Sequence, residues 1–209
     1  MKARIVHLCV LVLVLFIMQS CQKEVDGLMD DGSTFVSPAE QKPKVGTTWI
    51  YQYYWNNGPG FPTHAKIITH KAQSEVELGG EKWLKIVDME TDTTVYFLNT
   101  KADGLYQYTN SNPYLLCKYP AVINDSYATF NEGANEVFTV KAVNDSTPTG
   151  VGVIPLNRYE GVKNSYLIDV LWYNKNAWLV WKNQYLLIPV APAPIYFLRS
   201  RMYIESIVY

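Results

Sequence analysis

From Val45 onward the chain is a succession of short segments rich in Tyr, Trp, Val, Ile and Thr, cut by clusters of Gly, Asn, Asp and Pro. Aromatic and β-branched side chains suit a half-buried pleated surface, and the intervening residues supply the backbone geometries of turns. No helical periodicity competes with this pattern. Thr47–Trp55 reads as a strand closed by the loop Asn56-Asn57-Gly58-Pro59-Gly60. Val76–Val87 reads as a hairpin around Gly79-Gly80, because paired glycines supply the positive φ of a tight turn. Thr93–Leu98 and Leu105–Thr109 flank a second hairpin turn at Lys101-Ala102-Asp103-Gly104. Glu136–Val143, Arg158–Val162, Tyr166–Tyr173, Ala177–Lys182, Gln184–Val190 and Ile195–Tyr209 continue the series. Roughly a dozen strands at this spacing predict one antiparallel all-β domain over residues 45–209, a barrel or half-barrel, with a β-sandwich as the alternative. A domain of ~150 residues removes about two-thirds of its unfolded surface from water, so no disulfide support is required.

Upstream of that domain the composition changes twice. Lys2 and Arg4 precede an apolar run from Ile5 to Met18, the charged start and apolar middle of a signal peptide. As a helix the run would rise only ~21 Å, short of a ~30 Å hydrocarbon core. Ser20 is the single small residue before Cys21, which fits ordinary signal cleavage poorly and lipidation of the cysteine well. From Gln22 to Lys44 the chain is polar and turn-prone and reads as a flexible tether. The expected organisation is therefore a lipoprotein signal at 1–20, an acylated Cys21 with its tether at 21–44, and the β domain at 45–209.

These N-terminal residues resemble a bacterial lipobox, with Met18 and Gln19 in place of the more usual Leu and Ala or Ser. Lys23, Glu24 and Asp26 look like the lysine-plus-acidic export signal of Bacteroidota outer-membrane lipoproteins, here interrupted by Val25. The resemblance implies a protein held by its lipid at the outer membrane, on the cell surface or, alternatively, on the periplasmic face. A singly acylated chain anchors marginally and a multiply acylated one stably, so no transmembrane helix is needed. Lys44–Tyr51, Tyr96-Phe97-Leu98 before Asp103–Tyr106, and Lys118-Tyr119-Pro120 before Asn124–Tyr127 are similar to β-rich lipoproteins of the same bacterial group. That similarity implies a barrel or half-barrel and no particular activity.

Charge and chemistry exclude more than they suggest. Without Lys2 and Arg4 the chain carries 16 basic against 19 acidic residues and has no basic run, which argues against a nucleic-acid partner. Cys9 leaves with the signal and Cys21 takes the lipid, so Cys117 stands alone in an apolar strand-like stretch and reads as a small buried hydrophobe. His64 and His70 would stand ~20 Å apart along an extended strand, too far to share a metal. Asp88, Glu90 and Asp92 read as a solvated strand edge. No catalytic or metal-binding motif occurs, so no cofactor or metal is expected and the protein reads as non-enzymatic.

The remaining functional signal is aromatic. Trp49, Tyr51, Tyr53 and Trp55 share one face of their strand, while Ile50 and Tyr54 make the other face apolar as well. In Ala177–Trp181 the two tryptophans fall on opposite faces, so at least one can lie outside. Aromatic faces either fill a β core or meet a ligand. The candidate ligand contacts are Trp49, Tyr51, Tyr53, Trp55 and Trp178. Two binding functions follow: an interior cavity for an apolar or lipid-like ligand, or a surface module for a glycan. A structural subunit of a surface complex is a further alternative.

Overall fold

The computed structural model describes residues 41–57, 62–188 and 193–209, all within one compact unit, Ser37–Tyr209. Cys21, Lys23, Glu24 and Asp26, and with them the expected signal and most of the tether, lie outside the described residues.

Twelve strands make up the domain: β1 (Thr48–Trp55), β2 (His64–Leu78), β3 (Glu81–Asp88), β4 (Thr93–Lys101), β5 (Gly104–Thr109), β6 (Asn112–Lys118), β7 (Ser126–Asn131), β8 (Ala134–Thr149), β9 (Gly152–Lys163), β10 (Tyr166–Asn174), β11 (Trp178–Ile188) and β12 (Ile195–Val208). Each pairs antiparallel with its sequence neighbour, with one exception, and β1 pairs with β12. The exception is β6 and β7, which end the sheet on either side. The result is a nearly closed barrel whose first and last strands meet inside the sheet and whose seam falls between two consecutive strands.

That seam is bridged by side chains and a short turn. The turn contains a cis Tyr119–Pro120 peptide bond. Lys118 Nζ lies 2.6 Å from Asp125 Oδ2, and the Tyr127 hydroxyl donates to the Leu116 carbonyl at 2.9 Å. At the other end of the two strands the Tyr114 and Phe130 rings meet at 5.4 Å.

The tight turns explain the register. Gly79-Gly80 closes the β2–β3 hairpin with φ of 60° and 79°, as the paired glycines predict. Asn110-Ser111, Glu132-Gly133 and Asn164-Ser165 close three further hairpins with both central residues at positive φ. These are two-residue turns whose twist matches that of the strands, and in two of the three no glycine marks them. Two sequence expectations are corrected here. The strands expected over Ala177–Lys182 and Gln184–Val190 are, among the described residues, one strand, β11, because Asn183 pairs with Arg201 and the ladder to β12 continues past a bulge between Gln184 and Tyr185. The hairpin strand expected to start at Val76 starts at His64, with a bulge between Ala72 and Ser74.

Side-chain alternation sends one face of each strand inward. Trp49, Tyr51, Leu98, Leu105, Leu116, Cys117, Phe138, Tyr159, Tyr173, Trp178 and Ile204 belong to one interior cluster. Cys117 is a buried free thiol, and burial pushes its pKa well up. Its environment suits an inert packing residue rather than a nucleophile.

Candidate functional site

Trp49 and Trp178 are 2% and 4% exposed, and their rings lie 5.7 Å apart. The Trp49 Nε1–H donates to the Ala177 carbonyl at 3.0 Å, and the Tyr51 hydroxyl donates to the Leu179 carbonyl at 3.0 Å. These bonds cross the barrel interior from β1 to the start of β11. The cavity beside these rings measures about 20 Å³, room for a single water. Trp49 and Tyr51 therefore fill space instead of lining it, and Trp178, although it also borders the cleft that holds Lys42 and Lys101, is too buried to offer an exposed platform. Its partner in the sequence pattern, Trp181, is the tryptophan that faces out. Tyr53 and Trp55 are half-buried and stacked at 5.6 Å, with His64 against Trp55 at 5.2 Å.

His70 sits apart from His64, edge-on to Tyr51 and Tyr96. Burial lowers its pKa to about 4, against a small opposing pull from Asp88. Asp88 accepts the backbone N–H groups of Glu90 and Thr91, so it builds the β3–β4 turn and does not join a set of metal ligands. Among the described residues, no three His, Cys, Asp or Glu side chains converge as a metal site.

The outer wall carries the feature that sequence reasoning missed. Trp181 and Tyr203 alternate with the buried Lys182 and Met202, and Trp172 lies between the buried Leu171 and Tyr173. All three therefore point outward, as does Tyr54. In register, Trp172 opposes Trp181 and Trp181 opposes Tyr203. The ring centroids run Trp172–Trp181 at 5.0 Å, Trp181–Tyr203 at 6.1 Å and Tyr203–Tyr54 at 5.9 Å. Four half-buried rings thus form a continuous row across β10, β11, β12 and β1. The Arg201 guanidinium lies 5.3 Å from the Trp181 ring, and its Nε donates to Asn183 Oδ1, which also accepts the Trp181 indole N–H. The Tyr203 hydroxyl pKa is pushed up to about 12, first by its hydrogen bond with Tyr54 and then by partial burial.

A groove of about 380 Å³ opens against this row, lined by Trp181, Arg201, Tyr203 and Ile204 on one side and Pro148, Thr149 and Gly150 on the other. The second wall is the tip of the β8–β9 hairpin. Bulges between Val140 and Asp145 bend that hairpin, and its tip reaches β12, where Gly150 N–H donates to the Ile204 carbonyl at 3.2 Å. A Cβ on Gly150 would stand 2.3 Å from the Glu205 carbonyl oxygen. Only glycine allows that approach.

A larger cleft of about 480 Å³ lies elsewhere, lined in part by Lys42, Lys44, Lys82 and Lys101. Its two tryptophans are buried: Trp83 is 1% exposed beneath Lys101 and Tyr108, Trp178 is 4% exposed, and Lys101 is tied to Glu81. That cleft offers a ligand charge but little aromatic surface.

The interior also holds a polar cluster toward the β7–β8 turn. Lys182 and Gln184 donate to Glu132, Asn131 Nδ2 donates to Asp169 Oδ2 at 2.9 Å, and Ser200 donates to Gln184 at 2.9 Å. Burial first, and then the neighbouring Asp169, raise the Glu136 pKa to about 8. Burial would lower the Lys182 pKa, but Tyr96, Glu132 and Asp169 outweigh it and hold the ammonium charged. None of these groups lines the outer groove.

No family model matches the chain, and no curated protein matches it in sequence. Among solved structures, a "putative exported protein with YMCC-like fold" from Bacteroides fragilis is 13% identical with a TM-score of 0.38. The alignment covers 81% of this chain and 98% of that one. A "putative lipoprotein" from Parabacteroides distasonis is 14% identical with a TM-score of 0.37, covering 80% and 97% of the two chains. The description of the barrel rests on this chain's own strand pairing.

Proposed function

We propose that the protein is a lipid-anchored, non-enzymatic module of the outer-membrane surface that holds a glycan in the groove on its outer barrel wall. The observation that carries this reading is the row Trp172–Trp181–Tyr203–Tyr54 with the β8–β9 tip facing it. A sugar ring has an apolar C–H face that packs on aromatic surface and a polar rim that seeks hydrogen bonds. Trp181 and Tyr203 supply the first, and Arg201 and the Thr149 hydroxyl stand in or beside the groove for the second. At about 380 Å³ the groove falls in the size range of small-ligand sites. The expected anchor at Cys21 would hold the membrane and leave the barrel wall free for the ligand.

An apolar or lipid-like ligand is the second reading, favoured by Pro148 facing the Trp181 and Tyr203 rings in the same groove. It loses its original place, because the barrel interior is filled around Trp49 and Trp178. A catalytic reading gains little from Glu136 and Asp169, which are each 3% exposed and face the packed interior.

Calorimetric titration of the full-length mature protein with neutral and acidic oligosaccharides, and in parallel with fatty acids, tests this reading. Saturable oligosaccharide binding that Trp181→Ala weakens roughly tenfold or more supports it, the size of a lost aromatic anchor. Fatty-acid binding alone, or sugar binding indifferent to Trp181→Ala, overturns it.

A further inference from the structure

The interior polar cluster contains two buried carboxyl oxygens without a hydrogen-bond donor: Glu136 Oε2 and Asp169 Oδ1. Both residues are 3% exposed. Leaving such an oxygen unsatisfied is costly, and more so when it is charged. The strand geometry shows how the two meet. Glu136 lies on β8 and Asp169 on β10, and the strand between them, β9, places Gly161 directly opposite Asp169. On the other side Gly161 opposes Phe138. A Cβ at residue 161 would stand 2.5 Å from Glu136 Oε2 and 2.8 Å from the Phe138 ring. The missing side chain is the passage through which the Glu136 carboxyl crosses β9 toward Asp169. Two ionised carboxylates have no reason to approach in this way. One proton between them satisfies both orphaned oxygens at once.

We propose that Glu136 and Asp169 share a single proton across Gly161, and that this proton latches the β7–β8 hairpin to the barrel wall beside the β6–β7 seam. The proton is held as an O–H of one carboxyl donated to the other, and its loss to hydroxide at alkaline pH leaves two negative charges in contact. The surrounding groups fix the sign of the response. Asp169 on β10 already accepts from Asn131 on β7, and the Gln184 side chain opposite it on β11 also favours its charged form. Glu132, in the β7–β8 turn, is held by Lys182 and Gln184 of β11. Tyr96 on β4 faces Lys182, and Arg199 on β12 faces Glu132. With the pair, Glu132 makes three carboxyl groups in the cluster, and Lys182 is its buried cation. A second ionisation adds repulsion that one ammonium, already bonded to Glu132, does not neutralise. The strand freed first is β7, because as a sheet edge it has a backbone partner only in β8.

Cys117 gives a built-in reporter, since it lies on β6 at the seam, fully buried and free. The test has two readouts on the full-length mature protein. The first is an infrared or carbon-13 carboxyl titration of the native chain and of Glu136→Gln. The second is the rate of Cys117 alkylation, divided by that of free cysteine at the same pH, from about pH 7 to about pH 9. The proposal expects one protonated carboxyl that titrates near pH 8 and is absent from Glu136→Gln. It also expects a relative alkylation rate that rises roughly tenfold in the native protein and stays flat in the variant. Full ionisation of both carboxyls at neutral pH overturns the shared proton. Equal alkylation profiles in native protein and variant overturn the latch. If Glu136→Gln does not fold, Asp169→Asn takes its place, and the native titration alone still decides the first point.

Discussion

Removing the indole of Trp49 separates a packing role from a ligand role. The ring is 2% exposed, stacks on Trp178 at 5.7 Å and donates its N–H to the Ala177 carbonyl across the barrel. Truncating a buried tryptophan costs about 3–5 kcal/mol, and the stranded carbonyl adds to the upper part of that range. A domain of this kind holds about 5–15 kcal/mol in all, so Trp49→Ala consumes a large share. With a urea slope of about 2 kcal/mol per molar, a loss of about 4 kcal/mol moves the unfolding midpoint down by about 2 M. The assay is urea unfolding followed by far-UV circular dichroism. Trp49→Phe separates the terms: it keeps most of the packing, loses the hydrogen bond, and is expected to fall by about 1–3 kcal/mol. The double variant with Trp178→Ala adds a coupling of about 0.5–1.5 kcal/mol, because the two rings share one contact. A midpoint shift under about 0.5 M for Trp49→Ala, or strict additivity with Trp178→Ala, refutes the argument.

Gly150→Ala places a methyl group against the Glu205 backbone and is expected to push the β8–β9 tip off β12, lowering ligand affinity in calorimetry while leaving the circular dichroism spectrum unchanged. Gly161→Ala closes the passage used by Glu136 and presses on Phe138, at a cost of about 1–3 kcal/mol in urea unfolding. His70 has a folded pKa lowered to about 4, so its neutral form is the one that suits the core. Its contribution is present above the unfolded value of about 6.5 and lost as pH falls toward 4, by about 3 kcal/mol at most, and His70→Phe flattens that part of the stability–pH curve. Cys21→Ala tests the proposed anchor and is expected to abolish palmitate labelling and release the protein from the membrane fraction, because the variant lacks the thiol to which the lipid would be attached.

The strand series was legible because β-branched and aromatic runs alternate with turn residues, and Gly79-Gly80 announced its hairpin outright. Asn110-Ser111 and Asn164-Ser165 did not, since non-glycine residues at positive φ carry a weaker signature. β7 escaped for a related reason: Tyr127-Ala128-Thr129-Phe130 is short and flanked by polar residues on both sides. The aromatic face of β1 was read correctly as one face, but a sequence has no term for what fills the space opposite it. In the folded chain that space is taken by Trp178, which starts β11 at a φ of 65° and so turns inward. The opposite-face rule for the two tryptophans then puts Trp181 outside, and its neighbours Trp172, Tyr203 and Tyr54 come from three other strands. Glu132, Glu136, Asp169 and Lys182 were equally unreadable as a set, because only the folded barrel brings residues of three strands and the β7–β8 turn to one interior point.

The most direct test of binding on the outer wall is the indole N–H spectrum of the protein, whose six tryptophans give one resonance each. Titration with oligosaccharides is predicted to shift the Trp181 and Trp172 resonances and to leave those of Trp49 and Trp178 in place. Shifts at Trp49 and Trp178, or unmoved indoles at saturating ligand, would contradict the account.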